Sequence, residues 1–238
     1  MAVALSIVVP VMNEAENVVP LAREIAAAVG RDAEIIFVDD GSTDETRSVL
    51  QALKSEIPGL RVIAHNRNFG QSRAVRTGVR AATAEIAATL DGDGQNNPAD
   101  LPKLISVLKN GGPSLGMVSG IRRTRMDNAN KKFASGFANK FRRALLRDGA
   151  VDSGCGIKAF RREAFLALPY FDNMHRFVIA LMQREGYEVQ FVDVDHRPRM
   201  HGVSKYKNLQ RALVGFFDTF GVRWLQHRFK GAAQPREI

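Results

Sequence analysis

Residues 33–40 read AEIIFVDD, an apolar run that ends in two aspartates and is followed directly by Gly41 and Ser42. A continuous run of this kind is typical of a strand that is buried on both faces of a sheet. Comparable runs occupy residues 5–10, 60–65 and 86–90, and segments with helical spacing lie between them at 16–29, 44–55 and 71–82. This alternation predicts an α/β fold with a mostly parallel, Rossmann-like sheet and helices on both faces.

The rest of the chain is less regular. Its pattern predicts a helix over residues 101–108, strands over 117–121 and 187–196, short helices over 161–168 and 177–185, a basic helix over 131–147 and a long helix over about 206–230. There is no internal repeat, low-complexity stretch or linker in the 238 residues, so we expect one folded unit. We divide it into an α/β domain at 1–205, an amphipathic helix at 206–230 and a tail at 231–238.

The charge balance points to an anionic partner. The chain has a net charge of +9, and the excess lies in its second half, which carries about twice as many basic as acidic residues. Nucleic acid, a membrane surface and a phosphorylated substrate all fit this asymmetry. The only cysteine, Cys155, cannot form an intramolecular disulfide, which suits a reducing cytoplasm. No uninterrupted apolar run approaches the roughly 20 residues that span a bilayer.

Acidic and amide side chains follow the predicted strands where each one ends. Asp91-Gly92-Asp93-Gly94-Gln95 comes directly after residues 86–90. Ligands of parallel α/β sheets bind beyond the carboxyl ends of the strands. Two carboxylates two residues apart are suited to Mg²⁺ or Mn²⁺, with substrate phosphates completing the coordination shell. An Asp-Gly turn without a metal is the alternative interpretation.

Two other strand ends carry polar groups. Asp39 and Asp40 follow the second strand, and Asn13 and Glu14 follow the first. Two adjacent carboxylates, Asp39 and Asp40, exceed what capping of the next helix needs. We therefore expect one of these two aspartates to accept hydrogen bonds from a base or a ribose.

Three of these segments, VVPVMNE at 8–14, VDDGSTDET at 38–46 and LDGDGQ at 90–95, together resemble the family 2 glycosyltransferases with the GT-A fold. Further motifs narrow the resemblance to the dolichyl-phosphate mannosyltransferase-like branch, the polyprenyl-phosphate glycosyltransferases. These are SGIR at 119–122, DSGCG at 152–156, KAFR at 158–161, MHRF at 174–177, HRPR at 196–199 and GVSKY at 202–206. The similarity runs from about residue 6 to residue 224.

The resemblance implies a role for each matching position. Pro10, Asn13, Glu14 and Asp39 would line the nucleoside pocket, and Asp91, Asp93 and Gln95 would hold Mg²⁺ or Mn²⁺ against the donor diphosphate. Arg199 and Lys205 would clamp the donor phosphates, and Arg122, Lys131 and Ser135 would receive the acceptor phosphate. The implied reaction is an inverting, metal-dependent transfer of a sugar from a UDP- or GDP-linked donor to undecaprenyl or dolichyl phosphate, in cell-envelope synthesis.

The chemistry of such a transfer agrees with these residue types. The charge of the leaving diphosphate grows as the glycosidic bond breaks, and a divalent cation with Lys or Arg stabilises it. A lipid phosphate has a second pKa near ~6, so it is mostly dianionic at neutral pH and is already a nucleophile. If a general base is needed, Asp152 is the best candidate; orienting the acceptor or capping the turn at 153–156 are its alternative roles.

Two segments combine basic and aromatic residues. Residues 122–147 hold nine basic residues and one acid, with Phe133, Phe137 and Phe141 at helical spacing. The last helix carries Phe216, Phe217, Phe220 and Trp224 beside several arginines. Basic amphipathic helices of this kind lie in the headgroup plane of anionic membranes. We expect a peripheral protein on the cytoplasmic face of the cell membrane; packing of these helices on the domain or in a homo-oligomer, and a separate transmembrane partner, are the alternatives.

Two other functions remain to be weighed. A glycosyltransferase acting on a saccharide hydroxyl in polysaccharide synthesis would keep the fold but would need a base to deprotonate its acceptor. A nucleic-acid binder would agree with the basic charge. We expect no nucleic-acid partner, because the sequence has no recognised reader motif and the acids at the strand ends would repel phosphate in the absence of a metal.

Overall fold

A seven-stranded β-sheet lies at the centre of the fold. The computed structural model of the chain describes residues 3–122, 141–198 and 208–231. Within these residues the sheet has seven strands: β1 (Leu5–Val11), β2 (Ala33–Asp39), β3 (Leu60–Ala64), β4 (Ile86–Thr89), β5 (Leu115–Arg122), β6 (Lys158–Arg161) and β7 (Glu188–Val194). Their order across the sheet is β3-β2-β1-β4-β6-β5-β7. All neighbours pair in parallel except β6, which is antiparallel to both β4 and β5.

Helices cover both faces of the sheet, as the alternating pattern predicts. The helices are α1 (Ala15–Val29), α2 (Thr46–Leu53), α3 (Gln71–Ala81), α4 (Leu101–Asn110), α5 (residues 141–146), α6 (Arg162–Ala167), α7 (Val178–Arg184) and α8 (Asn208–Arg228). The apolar residues of α1, α2 and α4 bury one face of the sheet, and those of α3, α6 and α7 bury the other. The α/β prediction with a mostly parallel sheet is confirmed.

Strand β6 was not predicted, and the reason is physical. It is only four residues long, begins with Lys158 and ends with Arg161, so it shows neither an apolar run nor a clear alternation. Inside the sheet its two middle residues are buried on opposite faces, Ala159 in one core and Phe160 in the other. Pairing with β4 and β5, which are distant in sequence, therefore stabilises a strand that local pattern does not reveal.

The final helix packs by one face only. Thr219 and Val222 are buried against the domain, and Gln226 Nε2 donates a 3.1 Å hydrogen bond to the carbonyl of Leu146 in α5. Arg184 Nε, at the end of α7, donates a 3.1 Å bond to the carbonyl of Leu225. A second face, which includes Phe217 and Trp224, points to solvent. No helix in the described part of the chain is long and apolar enough to cross a bilayer.

Candidate active site

The loops that follow β1, β2 and β4 meet at one edge of the sheet because these parallel strands end on the same side. Glycines allow the close approach. A Cβ on Gly92 would lie 2.8 Å from the carbonyl oxygen of Pro10, and a Cβ on Gly41 would lie 2.6 Å from the backbone nitrogen of Asn68. Neither position tolerates a side chain without a shift of the backbone it touches. The loop after β4 therefore touches the end of β1, and the loop after β2 touches the loop after β3.

Asp91 is held from three sides directly after β4. Its backbone N–H donates to Asn96 Oδ1 at 3.0 Å, and its Oδ1 accepts a 2.7 Å hydrogen bond from Gln71 Nε2. Its Oδ2 lies against Gly156, where a Cβ would overlap the carboxylate and approach Asn96 Oδ1 to 2.6 Å. The carboxylate is thus fixed by Gln71 and Gly156, and the backbone of Asp91 by Asn96.

Asp93 and Gln95 complete the turn. Asp93 Oδ1 accepts a 3.2 Å bond from the backbone N–H of Gln95, and the loop position between them, Gly94, has a left-handed φ of 74°. Gln95 Nε2 lies 3.5 Å from the carbonyl of Arg197. The three predicted metal ligands, Asp91, Asp93 and Gln95, therefore lie on one short loop, as their spacing predicts.

Electrostatics disfavour the ionised form of Asp91. Burial raises the pKa of its carboxyl, and the neighbouring Asp93 raises it further, whereas Lys158 and Arg122 act in the opposite direction. A cation beside the two carboxylates would relieve both effects, since it favours the charged form.

These residues fit a hard divalent cation. Carboxylate and amide oxygens are the ligands that Mg²⁺ and Mn²⁺ prefer. In the described ranges no group of three or more His, Cys, Asp or Glu side chains could hold a metal. Asp91, Asp93 and Gln95 are suited to an ion whose coordination shell is completed by the phosphates of a substrate.

The predicted nucleoside residues lie together at the ends of β1 and β2, together with Pro10 in β1. Asn13 has a left-handed φ of 51°, and its Oδ1 accepts a 2.7 Å bond from the backbone N–H of Thr43. Asp39 is fully buried; its Oδ1 accepts from the Ser42 N–H at 2.9 Å and its Oδ2 from Arg47 Nε at 2.8 Å. Their roles toward a nucleoside stay predictions.

Glu14 lies beside them, at the start of α1. Its backbone N–H donates to Thr46 Oγ1 at 2.8 Å, and its Oε2 accepts a 2.6 Å bond from Asn17 Nδ2. The bond to Thr46 connects the loop after β1 to the start of α2, and the bond from Asn17 stays within the first turn of α1.

The Asp40 carboxylate binds the backbone of the loop that precedes α3. Its Oδ1 accepts a 2.9 Å bond from the backbone N–H of Phe69 and contacts His65 Nδ1 at 2.7 Å, and its Oδ2 accepts a 2.7 Å bond from the Gly70 N–H. Asp40 therefore anchors the loop that leads into α3. Asp39, whose two oxygens are also engaged, stays only a predicted partner of a base or a ribose.

Arg122 and Asp152 form a pair next to the acidic loop. Arg122, the last residue of β5, donates from Nε to Asp152 Oδ2 and from Nη2 to Asp152 Oδ1, both at 2.7 Å. Both side chains are largely buried. A Cβ on Gly154 would lie 3.4 Å from Arg122 Nη2, and Gly156, two residues further on, packs against Asp91 Oδ2, so the short turn at 154–156 lies between this guanidinium and the acid. The fold thus brings together Arg122, the predicted ligand of the acceptor phosphate, and Asp152, the candidate base; with Asp93 they are the three residues that we predict to be catalytic.

The segment after β7 crosses the acidic loop. The backbone N–H of Arg197 donates to the carbonyl of Gln95 at 2.9 Å, and its guanidinium contacts Glu24 at 2.7 Å and Asn97 Oδ1 at 2.6 Å. The segment that carries the predicted phosphate clamp therefore starts at the acidic loop. The predicted clamp residues, Arg199 and Lys205, and the predicted acceptor residues, Lys131 and Ser135, lie outside the described residues.

A cavity of about 370 Å³ opens beside the start of α3. It is lined by Arg67, Asn68, Phe69, Gly70, Gln71, Ser72, Asp172 and Asn173. Ser72 Oγ contacts His175 Nδ1 at 2.7 Å, and this contact ties the two walls together. No sequence pattern predicts a role for Gln71, Ser72 or Gly156. Only the position of Gln71, at the start of a helix that follows a parallel strand, could have indicated that it reaches the same edge.

Comparison with known proteins identifies the family of this chain and several named relatives. Residues 6–168 match the family model described as "Glycosyl transferase family 2". An Enterobacter protein named undecaprenyl-phosphate 4-deoxy-4-formamido-L-arabinose transferase is 34% identical over 92% of this chain and 69% of its own length. A dodecaprenyl-phosphate galacturonate synthase of Rhizobium johnstonii is 35% identical over 85% of this chain and 61% of its own. The chain thus spans about two thirds of the length of these relatives.

Among solved structures, glucosyl-3-phosphoglycerate synthase of Mycobacterium tuberculosis, in complex with Mn²⁺, uridine diphosphate and glucosyl-3-phosphoglycerate, superposes with a TM-score of 0.72. It is 20% identical, and the match covers 97% of this chain and 81% of that one. At this identity the similarity concerns the fold. The sequence match, the fold and the acidic loop after β4 lead to one conclusion: the chain belongs to glycosyl transferase family 2 and is a glycosyltransferase with the GT-A fold.

Proposed function

We propose that this enzyme transfers a sugar from a nucleotide-sugar to a polyprenyl phosphate, with inversion and with Mg²⁺ or Mn²⁺ as cofactor. The observation that carries the proposal is the meeting of opposite charges at one sheet edge. Asp91 and Asp93, suited to a cation, lie on one loop, and the turn at 154–156 packs between Asp91 and Arg122, a group suited to a phosphate. The names of the two relatives described above, both polyprenyl-phosphate sugar transferases, support the same acceptor class.

Asp91, Asp93 and Gln95 would hold the metal. When bound, the cation would neutralise the negative charge that develops on the leaving diphosphate. The protein's own part is to keep both carboxylates on one loop and to fix Asp91 through Gln71 and Asn96. Asn13, Glu14, Pro10 and Asp39 would line the nucleoside site, for which uridine and guanosine are both candidates, and Arg199 and Lys205 would bind the donor phosphates.

The acceptor phosphate would approach Arg122, with Lys131 and Ser135 as further ligands. A dianionic phosphate needs no strong base, because its oxygens are already nucleophilic at neutral pH. The bidentate contact of Asp152 with Arg122 favours its orienting role over general-base catalysis, since both carboxylate oxygens accept hydrogen bonds from the guanidinium. The same contact counts against a saccharide hydroxyl as acceptor, which would require a base.

The exposed face of α8 supports a peripheral position at the membrane. Phe217 is 69% exposed and Trp224 is 61% exposed, and Leu213, Phe216 and Phe220 lie on the same stripe of the helix. Phe141 of α5 stacks on Phe216 with ring centroids 5.4 Å apart, so the apolar surface extends onto a second helix. Large exposed aromatic residues on a basic helix suit the headgroup layer of an anionic membrane. The α/β domain, residues 1–205, would then face its acceptor from the cytoplasmic side, with 206–230 at the interface and 231–238 as a tail.

A transfer assay tests the proposal. The enzyme is incubated with Mn²⁺, a panel of radiolabelled UDP- and GDP-sugars, and either undecaprenyl phosphate in detergent or an oligosaccharide. We expect label in the organic-soluble fraction with the lipid phosphate, and no transfer when EDTA is added. Label that enters only the oligosaccharide would contradict the acceptor, and full transfer in EDTA would contradict the metal.

A further inference from the structure

A single amide side chain connects α3 to the acidic loop. Gln71 Nε2 donates a 2.7 Å hydrogen bond to Asp91 Oδ1. We propose that Gln71 is a positioning residue, which sets the orientation of the Asp91 carboxylate for the cation. The inference rests on the proposed function, in which Asp91 is a metal ligand. It assigns a task to a residue for which neither the sequence motifs nor the relatives indicate one.

Gln71 is itself held firmly. It is the first residue of α3, and the two residues before it donate their backbone N–H groups to Asp40, which is buried under the loop. The residue after it, Ser72, contacts His175 through its hydroxyl at 2.7 Å and accepts a 3.1 Å bond from the His175 backbone N–H. The start of α3 is therefore anchored on both sides, and Gln71 reaches Asp91 from a fixed base.

The hydrogen-bond donor that meets Asp91 is a neutral amide. The Gln71 amide donates to one carboxylate oxygen of Asp91, and such a hydrogen bond favours the charged form, which is the form that binds a cation. A lysine or an arginine at the same point would compete with the cation for the carboxylate. A neutral amide fixes the carboxylate plane without this competition. Gly156, packed against Oδ2, limits movement on the other side.

Mn²⁺ affinity tests the inference directly. Free Mn²⁺ is measured by electron paramagnetic resonance during titration of the wild-type enzyme, Gln71→Met and Gln71→Ala, each with UDP and, separately, with GDP. Partners of metal-ligating carboxylates change metal affinity by about 10- to 100-fold when they are removed. We expect the Mn²⁺ dissociation constant to rise by that factor in both variants. The Mn²⁺ concentration for half-maximal transfer should rise in parallel, with the rate recovering at saturating Mn²⁺.

Gln51→Met is the matched control, because Gln51 is an exposed residue of α2. It should leave the Mn²⁺ dissociation constant unchanged. Thermal unfolding without metal should show that both Gln71 variants are folded, since Met and Ala are good helix formers. Wild-type affinity in Gln71→Met and Gln71→Ala would overturn the positioning role while leaving the metal site intact. Absence of Mn²⁺ binding by the wild type would overturn the metal site and this inference together.

Discussion

Arg122 and Asp152 are joined by two parallel hydrogen bonds, from Nε and Nη2 of the arginine to the two oxygens of the aspartate, each 2.7 Å long. The backbone N–H of Arg122 also donates to Asp152 Oδ2 at 3.3 Å. This bidentate geometry fixes the plane of the guanidinium at the end of β5. The Arg122 guanidinium is the group that would meet an acceptor phosphate. Its position is therefore determined by the carboxylate of Asp152, which lies 30 residues further along the chain.

Asp152→Asn tests whether the pair works as a unit. The change removes the charge and one of the two good acceptors, so the free energy of unfolding should fall by about 1.5–3 kcal/mol. Transfer should fall because Arg122 is no longer held. We expect Arg122→Gln to be equally impaired and the double variant to be no worse than either single one, since residues that act together are not additive. Additive losses in the rate of transfer would instead indicate an independent role for Asp152, such as general-base catalysis.

Asp93→Asn tests the metal loop. The substitution keeps the shape of the side chain and its contact with the Gln95 N–H but removes a charge suited to a cation. We expect transfer to be lost and Mn²⁺ binding to be strongly weakened, with the unfolding temperature nearly unchanged. Asp32→Asn, at an exposed position, serves as the control for a loss of charge. An Asp93→Asn enzyme with wild-type transfer at limiting Mn²⁺ would count against the role of this residue.

Gly156→Ala tests the packing around Asp91. The new Cβ would overlap the Asp91 carboxylate and lie 2.6 Å from Asn96 Oδ1, so the carboxylate must move. We expect the rate of transfer to drop about tenfold or more, which is the usual effect of changing a group that orients a metal-binding carboxylate. Gly221→Ala is the matched control, because a Cβ there meets nothing within 4 Å. In helix α8 that change should stabilise the fold by about 0.4–1 kcal/mol. Equal transfer by both variants would contradict the account of Gly156.

Glu34 provides a test of stability against pH. Burial by itself raises the pKa of its carboxyl, but hydrogen bonds from Ser6, from the backbone and hydroxyl of Thr83, and from Arg61 outweigh burial and leave the pKa below its ordinary value. A carboxyl with a lowered pKa contributes stability above its unfolded pKa of about 4.3, and this contribution disappears as the pH falls through the folded pKa.

We therefore expect Glu34→Gln to reduce the free energy of unfolding by about 1.5–3 kcal/mol at pH 7, the range for hydrogen bonds to a charged group. The difference from the wild type should shrink steadily in urea denaturation curves recorded from pH 5 downward. A difference that is the same at all pH values would show that the loss arises from packing and not from ionisation.

Phe217→Ser and Trp224→Ser test the α8 surface. Each removes a large side chain that is exposed on the protein but would be buried in a membrane. Burial of such a side chain contributes about 1.5–3 kcal/mol, so binding to vesicles with anionic lipid should weaken about tenfold or more for each change. Co-sedimentation with phosphatidylglycerol vesicles measures this. Val3→Ser, an exposed apolar residue outside α8, should bind like the wild type, and unaltered sedimentation of the α8 variants would contradict interfacial binding.

Much of the architecture could be read from the sequence. The strands β1 to β4 are apolar runs whose period and length are local properties, and each is followed by a helix of ordinary length. Parallel connections then bring their ends to one edge of the sheet. For that reason the sequence alone places the acidic loop at Asp91–Gln95 and the polar ends of β1 and β2 at the sheet edge where the structure has them.

Other features needed the tertiary structure, because they depend on contacts between distant segments. Strand β6 exists through pairing with β4 and β5, and nothing in its four residues distinguishes it from a turn. Gln71 reaches Asp91 across 20 residues of sequence, and Arg122 reaches Asp152 across 30. The sequence by itself determined which side chains stand at the edge of the sheet, since local periodicity sets the strand ends. Only the folded chain decided which of them hold one another, because hydrogen bonds between loops have no local pattern.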